Sequence, residues 1–224
     1  MRAKKSTGLF WFVLLAGIFS VGCGAPDEQS GREGGSSSGS SAVGSGETVE
    51  VGGTEAIVWG EGGRGVVLAH GAAYDAASWR DQARRLADNG VIALAVEDTS
   101  AQSVAEAASY LKDEHGVRDV ALVGASAGTS GVLGAAEETP ELADQVILLS
   151  GTGGVSGLGE YPKLFVASEG EGLADTVRGM AEEAPGDRNE VLILPGDAHA
   201  QAIFETNQGE KLMRTILKLL KENG

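Results

Sequence analysis

Short runs of aliphatic and β-branched residues alternate with longer stretches whose apolar positions recur every three or four residues, from residue 47 to the end of the chain. The short runs predict strands at Gly65–Ala69, Val91–Val96, Asp119–Val123, Gln145–Leu149, Leu164–Ala167 and Val191–Leu194. The longer ones predict helices at about Ala76–Asn89, Val104–His115, Ala127–Glu138, Ala174–Glu183 and Gln208–Lys221. Ahead of them, Thr48–Val51 and Thr54–Trp59 flank Gly52-Gly53, a two-residue turn that predicts an N-terminal β-hairpin. Strands that are apolar throughout, separated by amphipathic helices, must be covered on both faces. The fold class is therefore α/β, with a mostly parallel central sheet between helices. In such a sheet the loops at the carboxyl ends of the strands converge on one crevice, so a reactive residue is expected just after a strand.

The first 46 residues follow a different pattern. Arg2, Lys4 and Lys5 precede an uncharged, mostly apolar run from Leu9 to Val21. A bilayer-spanning helix needs about 20 such residues, so this shorter run predicts a signal peptide over 1–22. It ends in Ser20-Val21-Gly22-Cys23, which resembles the lipobox of bacterial lipoproteins, with Ser20 where most lipoboxes carry Leu. That resemblance implies lipidation of Cys23, the one cysteine in the chain, and a cell-envelope protein tethered to a membrane surface; ordinary secretion is the alternative. From Gly24 to Gly46, 14 of 23 residues are Gly or Ser, so residues 23–46 form an anchor and flexible tether, and 47–224 one domain.

The formal net charge is −15, and becomes −18 when the three basic residues of 1–22 are removed. An acidic domain of this kind excludes nucleic acid as a natural partner. It leaves a small molecule and, through Cys23, a membrane as the expected partners. Composition leaves the oligomeric state open. Three scattered histidines and one cysteine cannot supply the usual metal sites, and no phosphate-binding Gly-Lys-Ser/Thr loop is present, so no metal and no cofactor are expected.

Gly124-Ala125-Ser126-Ala127-Gly128 follows the apolar strand Val120–Val123 and precedes a helix. The pattern Gly-x-Ser-x-Gly is weak by itself in a chain with 35 glycines, and a second copy stands in the tether at Gly35-Ser36-Ser37-Ser38-Gly39. Context separates them. A serine on a sharp strand-to-helix turn needs neighbours without bulk, which Gly124, Ala125, Ala127 and Gly128 provide. A glycine-rich turn that only packs closely, or holds an anion at a helix N-terminus, would share that pattern.

With Val66-Val67-Leu68-Ala69-His70-Gly71-Ala72-Ala73, the domain resembles an α/β-hydrolase over nearly all of 47–224. The resemblance implies a serine hydrolase with Ser126 as nucleophile and His199 as general base. It implies an oxyanion hole made by the N–H groups of Ala72 and Ala127, with His70 and Gly71 as structural residues near the site. His199 follows the last strand, whereas His115 sits at a helix end closed by Gly116 and needs no catalytic role. The acid is expected in Ser168-Glu169-Gly170-Glu171-Gly172-Leu173-Ala174-Asp175: Glu171 by spacing, with Asp175 the main rival and Glu169 a lesser one. Glu171 departs from the Asp common in the family. Relatives that place the acid one strand earlier have no counterpart here, because Ser150–Gly159 contains no carboxylate. The order Ser, acid, His is that of the fold.

Only 14 residues separate the strands at Gln145–Leu149 and Leu164–Ala167, so no lid domain is expected and the site should be open. This resembles small lidless hydrolases such as the dienelactone-hydrolase-like proteins, although those often carry Cys as nucleophile. Small or accessible carboxylic esters are the expected substrates. A thioesterase or acyltransferase of the same fold, or a non-catalytic binding module, are the alternatives. Tyr74 and Trp79 could line the pocket or pack in the core.

Overall fold

A computed structural model of the chain describes residues 46–222; the segments read as signal peptide and lipidated Cys23, and all of the tether but Gly46, fall in residues 1–45, outside the described residues. Eight strands form one sheet: β1 Glu47–Val51, β2 Thr54–Trp59, β3 Arg64–Ala69, β4 Val91–Val96, β5 Asp119–Ala125, β6 Gln145–Leu149, β7 Lys163–Ser168 and β8 Asn189–Leu194. Their spatial order is β1-β2-β4-β3-β5-β6-β7-β8. The β1–β2 hairpin pairs antiparallel, and β2 joins β4 antiparallel; all other pairings are parallel. The helices are α1 Arg80–Ala87, α2 Ala101–His115, α3 Gly128–Glu138, α4 Ala174–Glu183 and α5 Gly209–Glu222.

Alternate strand residues serve opposite faces, as the period of two requires. Val67, Ile92, Leu94, Leu122 and Leu148 pack with α2, α3 and α4. Val66, Leu68, Val123, Ile147, Leu149 and Val166 pack with α1 and α5. In α5 the buried residues Leu212, Met213, Ile216, Leu219 and Leu220 recur at helical spacing and form the stripe that meets the sheet. The 13 residues from Ser150 to Pro162 connect β6 to β7 through turns alone, so no lid is inserted.

Several boundaries differ from the sequence reading for identifiable reasons. β5 runs on to Ala125, because Gly124 and Ala125 pair with Leu148 and Leu149; parallel pairing supplies what weak strand propensity does not. Ser126 is therefore the first residue beyond the strand. The single helix expected at 76–89 is split into a 3-10 turn, Ala76–Trp79, and α1. Asp75 caps the turn by accepting the Ser78 N–H. α2 begins earlier than expected, at Ala101, because Ser100 caps it by accepting the Ser103 N–H, and it ends where Gly116 turns left-handed. Of the two places open to Trp79, pocket or core, it takes the core: it is buried and meets Phe204 edge to face at 6.1 Å.

One cation is buried at the start of β7. Lys163 Nζ donates to the carbonyl oxygens of Tyr161 at 2.9 Å and Pro185 at 2.7 Å, and stands 4.9 Å from the centre of the Tyr161 ring. Burial, with the nearby Arg188 charge, lowers its pKa to about 8. These carbonyls and the Tyr161 ring solvate it at the amino end of the sheet, away from the carboxyl ends where loops converge.

Candidate active site

Ser126 occupies a left-handed backbone conformation, φ 49°, between the end of β5 and the start of α3. A non-glycine residue in that region costs on the order of 1–2 kcal/mol and persists only where its surroundings enforce it. Here the Ser126 N–H donates to the Leu149 carbonyl at 2.9 Å, and the Ser126 carbonyl accepts the Thr129 N–H at 3.1 Å. The backbone is thus clamped on both sides while the side chain stays free to point outward.

The small neighbours are a steric requirement. A Cβ on Gly128 would lie 2.5 Å from the Ala69 carbonyl oxygen and 2.6 Å from that of His70; one on Gly124 would lie 2.7 Å from the Thr129 Cα. All of these obstacles are backbone and cannot rotate away. Gly128→Ala is expected to destabilise the fold by roughly 3 kcal/mol. Urea unfolding measures this, and a loss below about 0.5 kcal/mol would mean the turn has more room than its geometry allows.

His199, five residues past the end of β8, points its Nε2 at Ser126 Oγ, 2.8 Å away across 73 residues of sequence. Its Nδ1 lies 2.6 Å from Glu171 Oε2, 28 residues away. Because a carboxylate only accepts, Nδ1 carries the proton in this pair and Nε2 is left to accept the serine hydroxyl. Glu171 is 3 % exposed in its side chain, whereas the imidazole is half exposed. A buried carboxylate needs its lone pairs satisfied, and Oε1 accepts both the Ser168 N–H and the Ser150 hydroxyl, the latter at 2.8 Å.

The other acids of that loop are placed differently. Asp175 lies in the first turn of α4, fully exposed, and bonds Arg178 at 2.9 Å. Glu169 is exposed as well. Ser168 and Glu171 form a capping box: the Glu171 side chain reaches back to the Ser168 N–H, and the Ser168 hydroxyl faces the Glu171 N–H. That reach accounts for glutamate in place of aspartate. One oxygen closes the box while the other meets His199, and a side chain one methylene shorter would have to give up one of these contacts.

Neither protein-family models nor curated protein sequences match this chain. Solved structures do. A predicted CIB-like hydrolase from Thermoplasma acidophilum superposes with a TM-score of 0.64 at 18% identity, covering 79% of this chain and 97% of that one. A thermophilic esterase from Thermogutta terrifontis gives 0.65 at 14% identity, over 79% and 98% of the two chains. A dienelactone hydrolase from Anabaena variabilis gives 0.61 at 18% identity, over 80% and 96%. The fold is that of the α/β-hydrolases.

Within this α/β-hydrolase fold, the loop after β3 lies against the Ser126 turn. A Cβ on Gly71 would be 3.5 Å from Ser126 Cβ, which is ordinary contact distance. The Tyr74 N–H donates to the Gly71 carbonyl at 2.9 Å and makes a tight turn of Gly71–Tyr74. The N–H groups of Ala72 and Ala127 have no hydrogen-bond acceptor among the described residues, and both residues are exposed. His70 sits beneath this loop, with its ring nitrogens 2.9 Å from the Gly71 carbonyl oxygen and 3.1 Å from that of Glu97, and so ties the loop to the end of β4. His115 closes α2 against the Tyr110 ring.

Three residues that support the site were not singled out from sequence. Gln201 is buried; its Oε1 accepts the Gly71 N–H at 2.8 Å and its Nε2 donates to Ser78 Oγ at 2.9 Å, so the histidine loop braces the β3 loop. Ser168 donates its hydroxyl to the Ala198 carbonyl at 2.6 Å and joins the acid loop to the histidine loop. Its signal was present as Ser-x-x-Glu, the capping-box pattern. Ser150, which follows β6, bridges Glu171 and the Ala200 N–H. A cleft of about 720 Å³ lined by Asp144, Tyr161, Pro162 and Arg188 lies at the amino ends of β6, β7 and β8, at the opposite end of the strands from Ser126.

Proposed function

We propose that this protein is a serine hydrolase of small or accessible carboxylic esters, with Ser126 as nucleophile, His199 as general base and Glu171 as the acid that orients it. The observation that carries this reading is the continuous chain Ser126 Oγ, His199, Glu171, with links of 2.8 and 2.6 Å. In the forward step Ser126 Oγ attacks the acyl carbon while its proton passes to His199 Nε2. The carbonyl oxygen takes up negative charge, which the N–H groups of Ala72 and Ala127 receive. Collapse of the tetrahedral adduct breaks the ester bond, and His199 returns the proton to the departing alcohol. Water then repeats the sequence on the acyl-serine, which regenerates Ser126 and releases the carboxylic acid. A fluorophosphonate probe tests the reading: a single phosphonyl adduct on Ser126, located by peptide mass, is expected on the folded protein. An unlabelled Ser126 in folded protein overturns it.

The electrostatics of the mouth narrow the substrates. Asp75, Glu97, Asp98, Glu169, Asp197 and Glu205 are all exposed on the loops at the carboxyl ends of the strands, and 70–79, 97–100, 126–127, 150–162, 169–173 and 195–208 contain no Lys or Arg. Hydrogen bonds from the Ser100 N–H and the Ser103 hydroxyl hold the Asp98 carboxyl below its ordinary pKa, so it stays ionised. An anionic ester meets mainly like charge from these loops. At low ionic strength kcat/KM is expected to be about tenfold lower for p-nitrophenyl hydrogen succinate than for p-nitrophenyl acetate, and the gap should narrow at 150 mM salt. Equal rates at low salt would remove the electrostatic filter from the proposal. On the same reading the enzyme is held at a membrane surface through lipidated Cys23, which places its substrates outside the cytoplasm.

A further inference from the structure

Among the described residues, positive φ occurs at three non-glycines only: Ser126 at 49°, Ser150 at 49° and Ala200 at 50°. Ser126 is the nucleophile of the proposed function and Ala200 follows His199 in the chain. Ser150 belongs to neither loop, yet it bonds the histidine loop at Ala200 and the acid loop at Glu171. Its hydroxyl donates to Glu171 Oε1 at 2.8 Å and accepts the Ala200 N–H at 2.8 Å, and the residue is 3 % exposed. Strained positions that the surroundings over-determine point to a function for the side chain held there. The chain has 35 glycines and places one at 151, immediately after this position. Glycine at 150 would remove the strain, so the hydroxyl is what distinguishes serine there.

We infer that Ser150 is a positioning residue of the hydrolytic site, setting the placement and charge of Glu171 and, through Ala200, the placement of His199. This rests on the proposed hydrolase reading. A serine hydroxyl has one proton. The Ala200 N–H occupies the acceptor side of Ser150 Oγ, and the proton goes to the carboxylate. Glu171 Oε1 therefore receives two donors, Ser150 and Ser168, and Oε2 is left for His199 Nδ1. Without the hydroxyl, Oε1 keeps one donor and the Ala200 N–H loses its acceptor in a buried place. The carboxylate is then less fixed and its negative charge less compensated by donors, and the turn carrying His199 loosens at the same time. The sequence has no carboxylate in 150–159, so the loop after β6 contributes to the triad by holding the acid that the loop after β7 supplies.

Ser150→Ala and Ser150→Gly separate the hydroxyl from the backbone. Both remove the hydrogen bonds, but glycine relieves the left-handed strain and alanine does not. Steady-state hydrolysis of p-nitrophenyl acetate across pH, with urea unfolding of each variant, is the experiment. In both variants kcat is expected to fall roughly 10- to 100-fold with KM little changed. The acidic limb of the pH profile should move to higher pH by the same amount in both, although Ser150→Gly unfolds at higher urea than Ser150→Ala. A loss of activity that tracks stability, smaller in glycine than in alanine and without movement of the limb, overturns the inference and leaves Ser150 a packing residue. So does a wild-type kcat and profile in either folded variant. Failure of the hydrolase reading looks different: the wild-type protein itself then neither turns over the ester nor takes a fluorophosphonate.

Discussion

Ser126→Ala is expected to lower kcat for p-nitrophenyl acetate by about 10⁴- to 10⁶-fold, with KM close to that of the unaltered protein. On the proposed reading the serine oxygen forms the acyl-enzyme, and among the described residues no other hydroxyl bonds His199 Nε2. The loss corresponds to about 5–8 kcal/mol in the barrier. The rate that remains would come from the Ala72 and Ala127 N–H groups and from His199 acting on water. Stability should hardly change. The clamps on this turn use the Ser126 N–H and carbonyl, which alanine retains, and the side chain is bonded only to the half-exposed imidazole. An unfolding midpoint near the original, with fluorophosphonate labelling abolished, is the expected combination. A variant that still hydrolyses the ester within tenfold of the original would show that the chemistry lies elsewhere.

Glu171→Gln carries the second large effect. The carboxylate accepts three hydrogen bonds, from His199 Nδ1, the Ser168 N–H and the Ser150 hydroxyl. A glutamine has a single acceptor oxygen. If that oxygen serves Ser168 and Ser150, the amide NH₂ faces His199 Nδ1 and draws the imidazole into the tautomer protonated at Nε2. That nitrogen can then no longer take the Ser126 proton, and kcat/KM is expected to fall about 10³- to 10⁴-fold. Flipping the amide instead leaves two donors facing an NH₂ group in a buried place, which costs stability. Asp175→Asn should change kcat/KM by less than about twofold, because its partner is Arg178 in solvent. Measured side by side on one ester, the two variants decide the acid. The assignment is wrong if Asp175→Asn is the more damaging.

The fold was legible because its signals are local. Val66–Ala69, Val91–Val96 and Val146–Leu149 are apolar on both sides, and only a sheet covered on two faces accommodates that. Ser126 and His199 were legible for a related reason: each follows the end of a strand, and the small residues around Ser126 are what a turn against Ala69 and His70 demands. The acid was less so. Spacing favoured Glu171 over Asp175, four residues further on, but spacing does not say what turns a side chain inward. The capping box with Ser168 turned Glu171 in, while α4 carried Asp175 out to Arg178.

The sequence alone therefore determined the layers, the order of the strands along the chain and the loops in which a nucleophile, an acid and a base could stand, because periodicity and turn chemistry act between near neighbours. Tertiary structure alone decided which side chains of those loops meet. Ser150 meets Ala200 across 50 residues and Gln201 meets Gly71 across 130, and these bonds exist only because parallel pairing brings the carboxyl ends of β3, β5, β6, β7 and β8 side by side. Serine and glutamine on their own look like any polar loop residue. Burial makes their donors and acceptors obligatory partners, and burial is a property of the assembled sheet.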